Sequence, residues 1–208
     1  RNFDIKNGGI GAPLIPVFHK YLYAEKKEKI IFNIGGIANG TYLKENKIAL
    51  ASDVGPGNCL LDFVASSSFN KPFDENGDLA SKGKVDQALF ENLITKCSSM
   101  TYPRADDKQD YYSLVESFKD IDPCSLLRTL TELTAEKIKE FYEFCDKPEE
   151  VIFHGGGTKN KLLMNIIKNK VNCLVRTTDD EIASKFVESA GFAYLAYLKK
   201  GEIFKSKS

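Results

Sequence analysis

The sequence carries no net charge that would draw it to a polyanion. Its 208 residues include 29 Lys and Arg against 29 Asp and Glu, so no long-range field attracts the chain to nucleic acid or to an anionic membrane surface. Long apolar runs are also missing, since none reaches the roughly 18 to 20 residues of a membrane-spanning helix, and no signal-peptide pattern opens the chain. We therefore expect no nucleic-acid partner, no membrane partner and a cytoplasmic location.

Paired cysteines and metal-binding clusters are missing as well. The five cysteines are scattered, without a CxxC pair or histidine-rich neighbours, at Cys59, Cys97, Cys124, Cys145 and Cys173. This pattern argues against a disulfide framework and against a zinc site, and it suits a reducing compartment. We expect no dedicated metal site built from protein ligands. With 42% hydrophobic and 28% charged residues, the chain can bury the core of one large domain.

The common nucleotide-binding motifs are missing too, although two predicted strands end in glycines. "KIIFNI" runs into Gly35 and Gly36, and "EVIFH" runs into the glycines at 155–157. Glycine lets the backbone approach a ligand closely, and the helix predicted after the second run would favour an anion at its N-terminus. Neither run is followed by GK[ST], and neither has the GxGxxG spacing. The glycines therefore indicate either a nucleotide site of another architecture or simple tight turns.

Residues 30–53 are predicted to form a three-stranded antiparallel meander. Three runs rich in β-branched and aromatic residues are separated here by glycines and by a polar turn, which is typical of consecutive hairpins. Gly55, Pro56 and Gly57 are predicted to break the third strand. Asn58 then stands at the expected N-cap of a helix over "CLLDFVASSSF".

The rest of the chain alternates helices with two short strands. Helices are predicted over "KVDQALFENLITKC" and over "TKNKLLMNIIKNKV". A longer helix is predicted from Pro123 to about Asp146, with Phe144 on its apolar face. The last helix is predicted over "EIASKFVESAGFAYLAYLKKG", with Phe186 and Tyr197 on its apolar face. Strands are predicted at "EVIFH" and "NCLVRT". Residues 98–120 show no clear period and are interpreted as a mobile or ligand-covering loop. This order predicts an α/β, ribonuclease-H-like lobe in which helices flank a mixed sheet.

Two aspartates are candidate catalytic groups. Asp53 follows a predicted strand and precedes the Gly-Pro-Gly turn, while Asp4 stands shortly before "GGIGAPL". A carboxylate is ionised at neutral pH and can accept a proton from water, or hold the water shell of a metal ion in phosphoryl transfer. Because Asp is also common in turns and helix caps, the residues alone leave both interpretations open.

Six segments resemble the anhydro-N-acetylmuramic acid kinase family in order and spacing. They are "RNFDIKNGGIGAPLIPVFH", "FNIGGIANGTYL", "SDVGPGNCLLD", "FDENGDLASKGKVD", "FHGGGTKNKLLM" and "VESAGFAYLA". The resemblance runs from Arg1 to about Leu198, and its most specific parts are GGxGAPLxPxFH and DxGPGNxLxD. It implies a lobe of the sugar-kinase, Hsp70 and actin superfamily of two-lobed ATPases.

This resemblance implies a kinase of cell-wall recycling that uses ATP, accompanied by Mg²⁺, and water. The expected reaction converts 1,6-anhydro-N-acetylmuramic acid to N-acetylmuramic acid 6-phosphate and ADP. Asp4 would be the general base on the water, Asp53 a second carboxylate on the phosphate and metal side, and Arg1 and Glu188 substrate contacts. Nucleotide contacts are implied at Asn33, Gly35, Gly36, Gly55, Gly57, Asn58, Gly155, Gly156, Gly157 and Asn160. A homodimer of the full-length protein is a further expectation.

The chain also departs from the family's pattern. No segment matches the GTSxDGxD loop of the family's N-terminal lobe, so residues 1–208 are interpreted as the C-terminal lobe alone. Ile10 replaces the usual Gln of GGQGAPL, "YPRADDKQDYY" replaces a PKSTGRE-type loop, and "DEIASKFVE" lacks the Pro that usually precedes the last helix. Two alternatives follow: a related actin-fold sugar kinase with an altered substrate, or a non-catalytic nucleotide-binding remnant.

Overall fold

A five-stranded mixed sheet forms the centre of the fold. The computed structural model describes residues 15–97, 101–115, 118 and 120–198. The strands are β1 (Lys29–Ile34), β2 (Ile37–Lys44), β3 (Lys47–Pro56), β4 (Glu150–His154) and β5 (Leu174–Thr177). Their order is β3-β2-β1-β4-β5, with the first three strands antiparallel and the pairs β1–β4 and β4–β5 parallel. The predicted α/β fold and its antiparallel meander are confirmed.

Strand β1 is buried along its whole length because helices cover both faces of the sheet. Phe32 and its neighbours on one face pack against the long helix and the helix after β4, in the largest core cluster. Ile31 points to the opposite face, where it packs with Tyr23 and Ile152. Side chains alternate across a strand, so a strand covered on both faces reads as a continuous apolar run.

Seven α-helices are present in the described ranges. They are α1 (Pro16–Tyr23), α2 (Cys59–Phe69), α3 (Gln87–Cys97), α4 (Lys108–Val115), α5 (Pro123–Phe144), α6 (Lys161–Lys170) and α7 (Val187–Leu198). The predicted start of the long helix is confirmed, because the Asp122 side chain accepts a hydrogen bond from the Ser125 N–H at 2.9 Å and Pro123 occupies the first turn. No helix in these ranges combines the length and apolar character needed to cross a bilayer.

The interpretation of residues 98–120 as one loop is wrong, because the segment contains α4. Tyr111 and Val115 form the buried side of this short helix, and the Tyr111 hydroxyl donates to the Asp106 carboxylate. Within α4 only these two of eight residues are buried, so the helical period was too weak to recognise in the sequence.

The predictions for the last helix need two corrections. Non-helical residues 181–183 and the 3-10 turn Ser184–Phe186 replace its expected first residues, and α7 begins at Val187. The Asp179 carboxylate accepts a hydrogen bond from the Ser184 N–H at 2.8 Å in this segment. The predicted apolar face is also wrong, because Val187 and Gly191 are buried while Phe186 and Tyr197 are exposed. Phe144, at the end of the long helix, is likewise exposed. A mostly apolar helix has no single face that its sequence can identify.

Candidate active site

Asp53 lies within strand β3 beside a β-bulge. The meander is predicted to end at about residue 53, whereas β3 continues to Pro56, within the Gly-Pro-Gly run that is predicted to break it. Asn39 pairs with Asp53 while Ala38 pairs with Gly55, so the register shifts at this point and the bulge redirects the neighbouring side chains. One oxygen of the half-buried Asp53 carboxylate accepts a hydrogen bond from the Asp106 N–H at 2.8 Å. Asp4 and Arg1 lie outside the described residues.

The loop that departs from the family's pattern packs along this part of β3. The backbone N–H of Arg104 donates to the Ser52 hydroxyl at 2.8 Å, and its carbonyl accepts from the Asp53 N–H at 3.1 Å. The Arg104 guanidinium donates to the Val54 carbonyl and lies 3.1 Å from the Asp106 carboxylate. The contact with the carbonyl is a hydrogen bond, whereas the contact with the carboxylate is an ion pair in which Arg104 Nε has no hydrogen-bond partner. The substituted loop is therefore fixed next to Asp53.

The glycines after β1 form a junction with the start of α2. The Gly36 carbonyl accepts from the N–H groups of Gly57 and Cys59, both at 3.0 Å, and the Gly35 carbonyl accepts from Asn58 N–H at 2.8 Å. A Cβ at Gly57 would lie 2.3 Å from the Gly35 carbonyl oxygen, so no side chain fits there. The Asn58 side chain donates to Ile34 O at 3.2 Å and does not cap α2. These residues hold the two loops together.

The glycines after β4 pack against the end of β1. Gly155 has φ +91°, and a Cβ there would lie 2.3 Å from the Asn33 side-chain oxygen. A Cβ at Gly157 would lie 2.2 Å from the Ile34 side chain. The buried Asn33 amide in turn donates to the Glu188 carboxylate at 3.0 Å. The structure therefore brings together three predicted positions, Asn33, Gly155 and Glu188, from β1, the loop after β4 and α7.

A cleft of about 610 Å³ opens beside this junction. Its walls include three predicted positions, Asn58, Gly156 and Asn160, together with Phe73 and Asp62. Phe73 is 54% exposed, although it is large and apolar. Partial burial raises the pKa of the Asp62 carboxyl, and the nearby Lys108 charge opposes this rise. A cavity of this size with one aromatic wall suits a small organic ligand.

The wall that carries Phe73 is held rigidly. The buried Asp74 carboxylate accepts hydrogen bonds from the N–H groups of Leu79 and Ala80 at 2.8 and 2.9 Å. Gly77 has φ +79°, and a Cβ there would lie 2.6 Å from the side-chain oxygen of Asn160. That same oxygen accepts from the Leu163 N–H at 3.0 Å and so caps α6. The cleft is therefore shaped before any ligand binds.

A buried histidine pair, which the sequence reasoning missed, lies directly before the second glycine run. His19 Nε2 and His154 Nε2 are 3.0 Å apart, and His19 Nδ1 lies 2.9 Å from the Thr41 hydroxyl. Burial and then the His154 charge lower the pKa of His19 to about 3, and burial lowers the pKa of His154 to about 4. Both rings are therefore neutral at pH 7 and tie α1 to β4. The one available signal was that the only two histidines both follow a phenylalanine within family-like segments.

Within the described ranges, no group of three or more His, Cys, Asp or Glu side chains is arranged to hold a metal ion. Mg²⁺ commonly keeps several waters and binds one or two carboxylates together with substrate phosphates. Asp53, which is half-buried at a bulge, is compatible with that mode. A cage of protein ligands is absent from the part of the chain that the structure describes.

Comparison with solved structures supports the fold. Xylulose kinase from Rhodospirillum rubrum superposes with a TM-score of 0.56 at 12% identity, covering 91% of this chain and 41% of that one. An activator of 2-hydroxyisocaproyl-CoA dehydratase from Clostridium difficile, solved with bound ADPNP, gives a TM-score of 0.55 at 12% identity, covering 91% of this chain and 68% of that one. At these identities the likeness concerns the fold alone.

Comparison of sequences is more specific. The chain is 35% identical over 207 residues to an anhydro-N-acetylmuramic acid kinase of Idiomarina loihiensis. The matched region covers 95% of this chain and 56% of the relative. The chain therefore spans about half the length of such relatives. The family model for anhydro-N-acetylmuramic acid kinase matches residues 1–204. On these findings, the chain belongs to the anhydro-N-acetylmuramic acid kinase family.

Proposed function

We propose that this chain is the C-terminal lobe of a kinase that phosphorylates 1,6-anhydro-N-acetylmuramic acid in cell-wall recycling. The observation that carries the proposal is the contact of Asn33 with both Glu188 and Gly155. In the family resemblance these positions belong to the phosphate, sugar and nucleotide sides of one site. Because the chain spans 56% of its relative, we propose that an N-terminal lobe supplies the rest of the ATP site.

We assign the nucleoside, the phosphates, the sugar and the metal ion to different residues along the proposed site. The nucleoside of ATP would occupy the cleft between Phe73 and Asn160, where an aromatic ring can stack on a base. The phosphates would extend past Asn58 toward Gly35 and Gly36, and the sugar would lie near Glu188. Asp53 would hold Mg²⁺ through water, and the bound ion would neutralise charge on the phosphates.

The proposed reaction opens the anhydro bridge and forms the phosphate ester together. Asp4 removes a proton from a water whose oxygen bonds to the anomeric carbon, and the bond from that carbon to O6 breaks. O6 then bonds to the γ-phosphorus, and the bond between this phosphorus and the bridging oxygen of ADP breaks. The Arg1 guanidinium would hold a polar or anionic group of the sugar by paired hydrogen bonds.

The test is product analysis by mass spectrometry with ATP, Mg²⁺ and 1,6-anhydro-N-acetylmuramic acid. The chain completed with a family N-terminal lobe should release N-acetylmuramic acid 6-phosphate, and Asp4→Asn should abolish turnover while ATP binding is retained. Asp53→Asn should lower turnover and raise the Mg²⁺ concentration required. Phosphorylated product from the Asp4→Asn protein at the wild-type rate would exclude the base role. A completed chain that folds and binds ATP but phosphorylates neither this sugar nor other anhydro sugars and free hexoses would identify the non-catalytic alternative.

A related sugar kinase with an altered substrate is the second candidate. The observation that favours it is the position of the divergent loop, because Arg104 and Asp106 lie against the strand that carries Asp53. The same assay with other anhydro sugars and free hexoses separates the two candidates. Faster turnover of any of these than of 1,6-anhydro-N-acetylmuramic acid would favour the second.

A further inference from the structure

Lys108 lies directly over the glycine loop that follows β1. A Cβ at Gly36 would be 2.5 Å from Lys108 Cε and 2.7 Å from Lys108 Nζ. Both distances are too short for a non-bonded contact, so the Lys108 side chain can lie here only because position 36 is a glycine. Lys108 is the first residue of α4, and it comes from the segment that departs most from the family's pattern. The glycine at position 36 thus leaves room for an ammonium group at the loop.

The segment that carries Lys108 is tied to the Asp53 side of the site. The Asp106 N–H donates to the Asp53 carboxylate at 2.8 Å, and the Asp106 carboxylate accepts from the Tyr111 hydroxyl within α4. The Asp107 carboxylate accepts from the Gln109 N–H at 3.0 Å, in the first turn of α4. Hydrogen bonds therefore link Asp53 to α4, the helix that begins with Lys108.

Lys108 keeps its charge available for a ligand. It forms no ion pair within 4.0 Å among the residues that the structure describes, in contrast to Lys29 and Lys170, which each contact two carboxylates. Its field nevertheless reaches the start of α2, where burial raises the pKa values of Asp62 and Cys59 and the Lys108 charge opposes that rise. An exposed ammonium that faces a glycine loop and lacks a close carboxylate suits an anion.

We propose that Lys108 binds a phosphoryl oxygen of the nucleotide, so that the loop at Gly36 and α4 together hold the phosphate chain. The proposal rests on the proposed function, because it assigns a phosphate-binding residue to that same site. A lysine ammonium stabilises a phosphate as a point charge, and positioning with charge stabilisation is the main requirement of phosphoryl transfer. The alternative is that Lys108 only covers Gly36 and contributes nothing to binding.

The test is calorimetric titration of the chain completed with a family N-terminal lobe, with ATP, tripolyphosphate and adenosine as separate probes. Lys108→Met should weaken ATP binding about tenfold, as expected for the loss of a charged hydrogen bond, and should weaken tripolyphosphate binding similarly. Adenosine binding should not change. Lys108→Arg should retain ATP binding to within about threefold, because it keeps the charge. Lys168→Met is the matched control, since Lys168 is exposed on α6, and it should change none of the three.

A double-mutant cycle separates a direct contact from a general charge effect. Gly36→Ala must displace the Lys108 side chain, because the new Cβ would overlap its Cε, and we expect ATP to bind several-fold more weakly. Combining Gly36→Ala with Lys108→Met should weaken binding no further than Lys108→Met alone.

The outcomes distinguish this proposal from the one on which it rests. Wild-type ATP affinity in Lys108→Met, or an equal loss for adenosine, would overturn the role of Lys108 while leaving the nucleotide site in place. A completed wild-type chain that folds but binds neither ATP nor adenosine would refute the nucleotide site itself, and the role of Lys108 with it. Additive losses in the double variant would show that Gly36 acts independently of Lys108.

Discussion

The buried histidine pair predicts that acid weakens this fold well above the range in which carboxylates titrate. His19 and His154 have folded-state pKa values of about 3 and about 4, below their ordinary value of 6.5. In the unfolded chain each ring gains a proton near pH 6.5, whereas the folded chain excludes it. The stabilisation is therefore complete above pH 6.5 and is lost as the pH falls from 6.5 toward 4.

The magnitude follows from proton linkage. At pH 5 each unfolded ring with a pKa of about 6.5 gains roughly 2 kcal/mol from protonation, while the folded rings gain almost nothing. The pair should therefore cost about 4 kcal/mol of unfolding free energy between pH 7.5 and pH 5. This is a large fraction of the roughly 5 to 15 kcal/mol that stabilises a typical domain.

The assay is urea denaturation at several pH values between 7.5 and 5, followed by circular dichroism. The control is the double variant His19→Gln, His154→Gln, which keeps polar side chains but removes the protonation. We expect the unfolding free energy of the wild type to fall by about 4 kcal/mol more than that of the variant over this range. Equal pH dependence in the two proteins would refute the reasoning, whatever their absolute stabilities.

Two further predictions concern the framework of the site. Gly155→Ala should destabilise the fold by about 2 to 4 kcal/mol, because the backbone has positive φ and the new Cβ would overlap Asn33. The control is Gly156→Ala, whose Cβ would have ordinary contacts. It should lower the unfolding free energy by less than about 1 kcal/mol in the same urea titration. Asp74→Ala should cost about 2 to 3 kcal/mol, because two buried N–H groups lose their acceptor, and the exposed Asp78→Ala is its control. Thermal melts of these variants that coincide with those of their controls would contradict both predictions.

Much of the fold could be predicted because its signals are local. Strands β1 and β4 are apolar runs that end in glycine, and the start of α5 is marked by Asp122 and Pro123. Helix α4 could not be recognised, because only Tyr111 and Val115 of its eight residues are buried. Where a helix buries so little, tertiary contacts decide its boundaries more than its own pattern does.

The candidate site was predictable as a set of residues but not as an arrangement. The resemblance to the family gave Asn33, Gly155 and Glu188 separate roles, while the structure shows that they touch. Neither the His19–His154 pair nor the approach of Lys108 to Gly36 has a local signal in the sequence. Contacts between distant segments depend on strand order, which propensity and spacing do not specify.

The contact between Asn33 and Glu188 also has a consequence for folding during synthesis. The two residues are 155 positions apart, so a ribosome completes β1 long before it supplies the glutamate. The meander of β1, β2 and β3 can form early from neighbouring segments, but a nascent chain cannot form the contact between Asn33 and Glu188 until α7 has emerged and docked. A ligand that touches both residues would consequently favour the docked state of α7, since binding to the folded form stabilises it by mass action. Substrate would then act on this lobe as a late folding aid as well as a reactant.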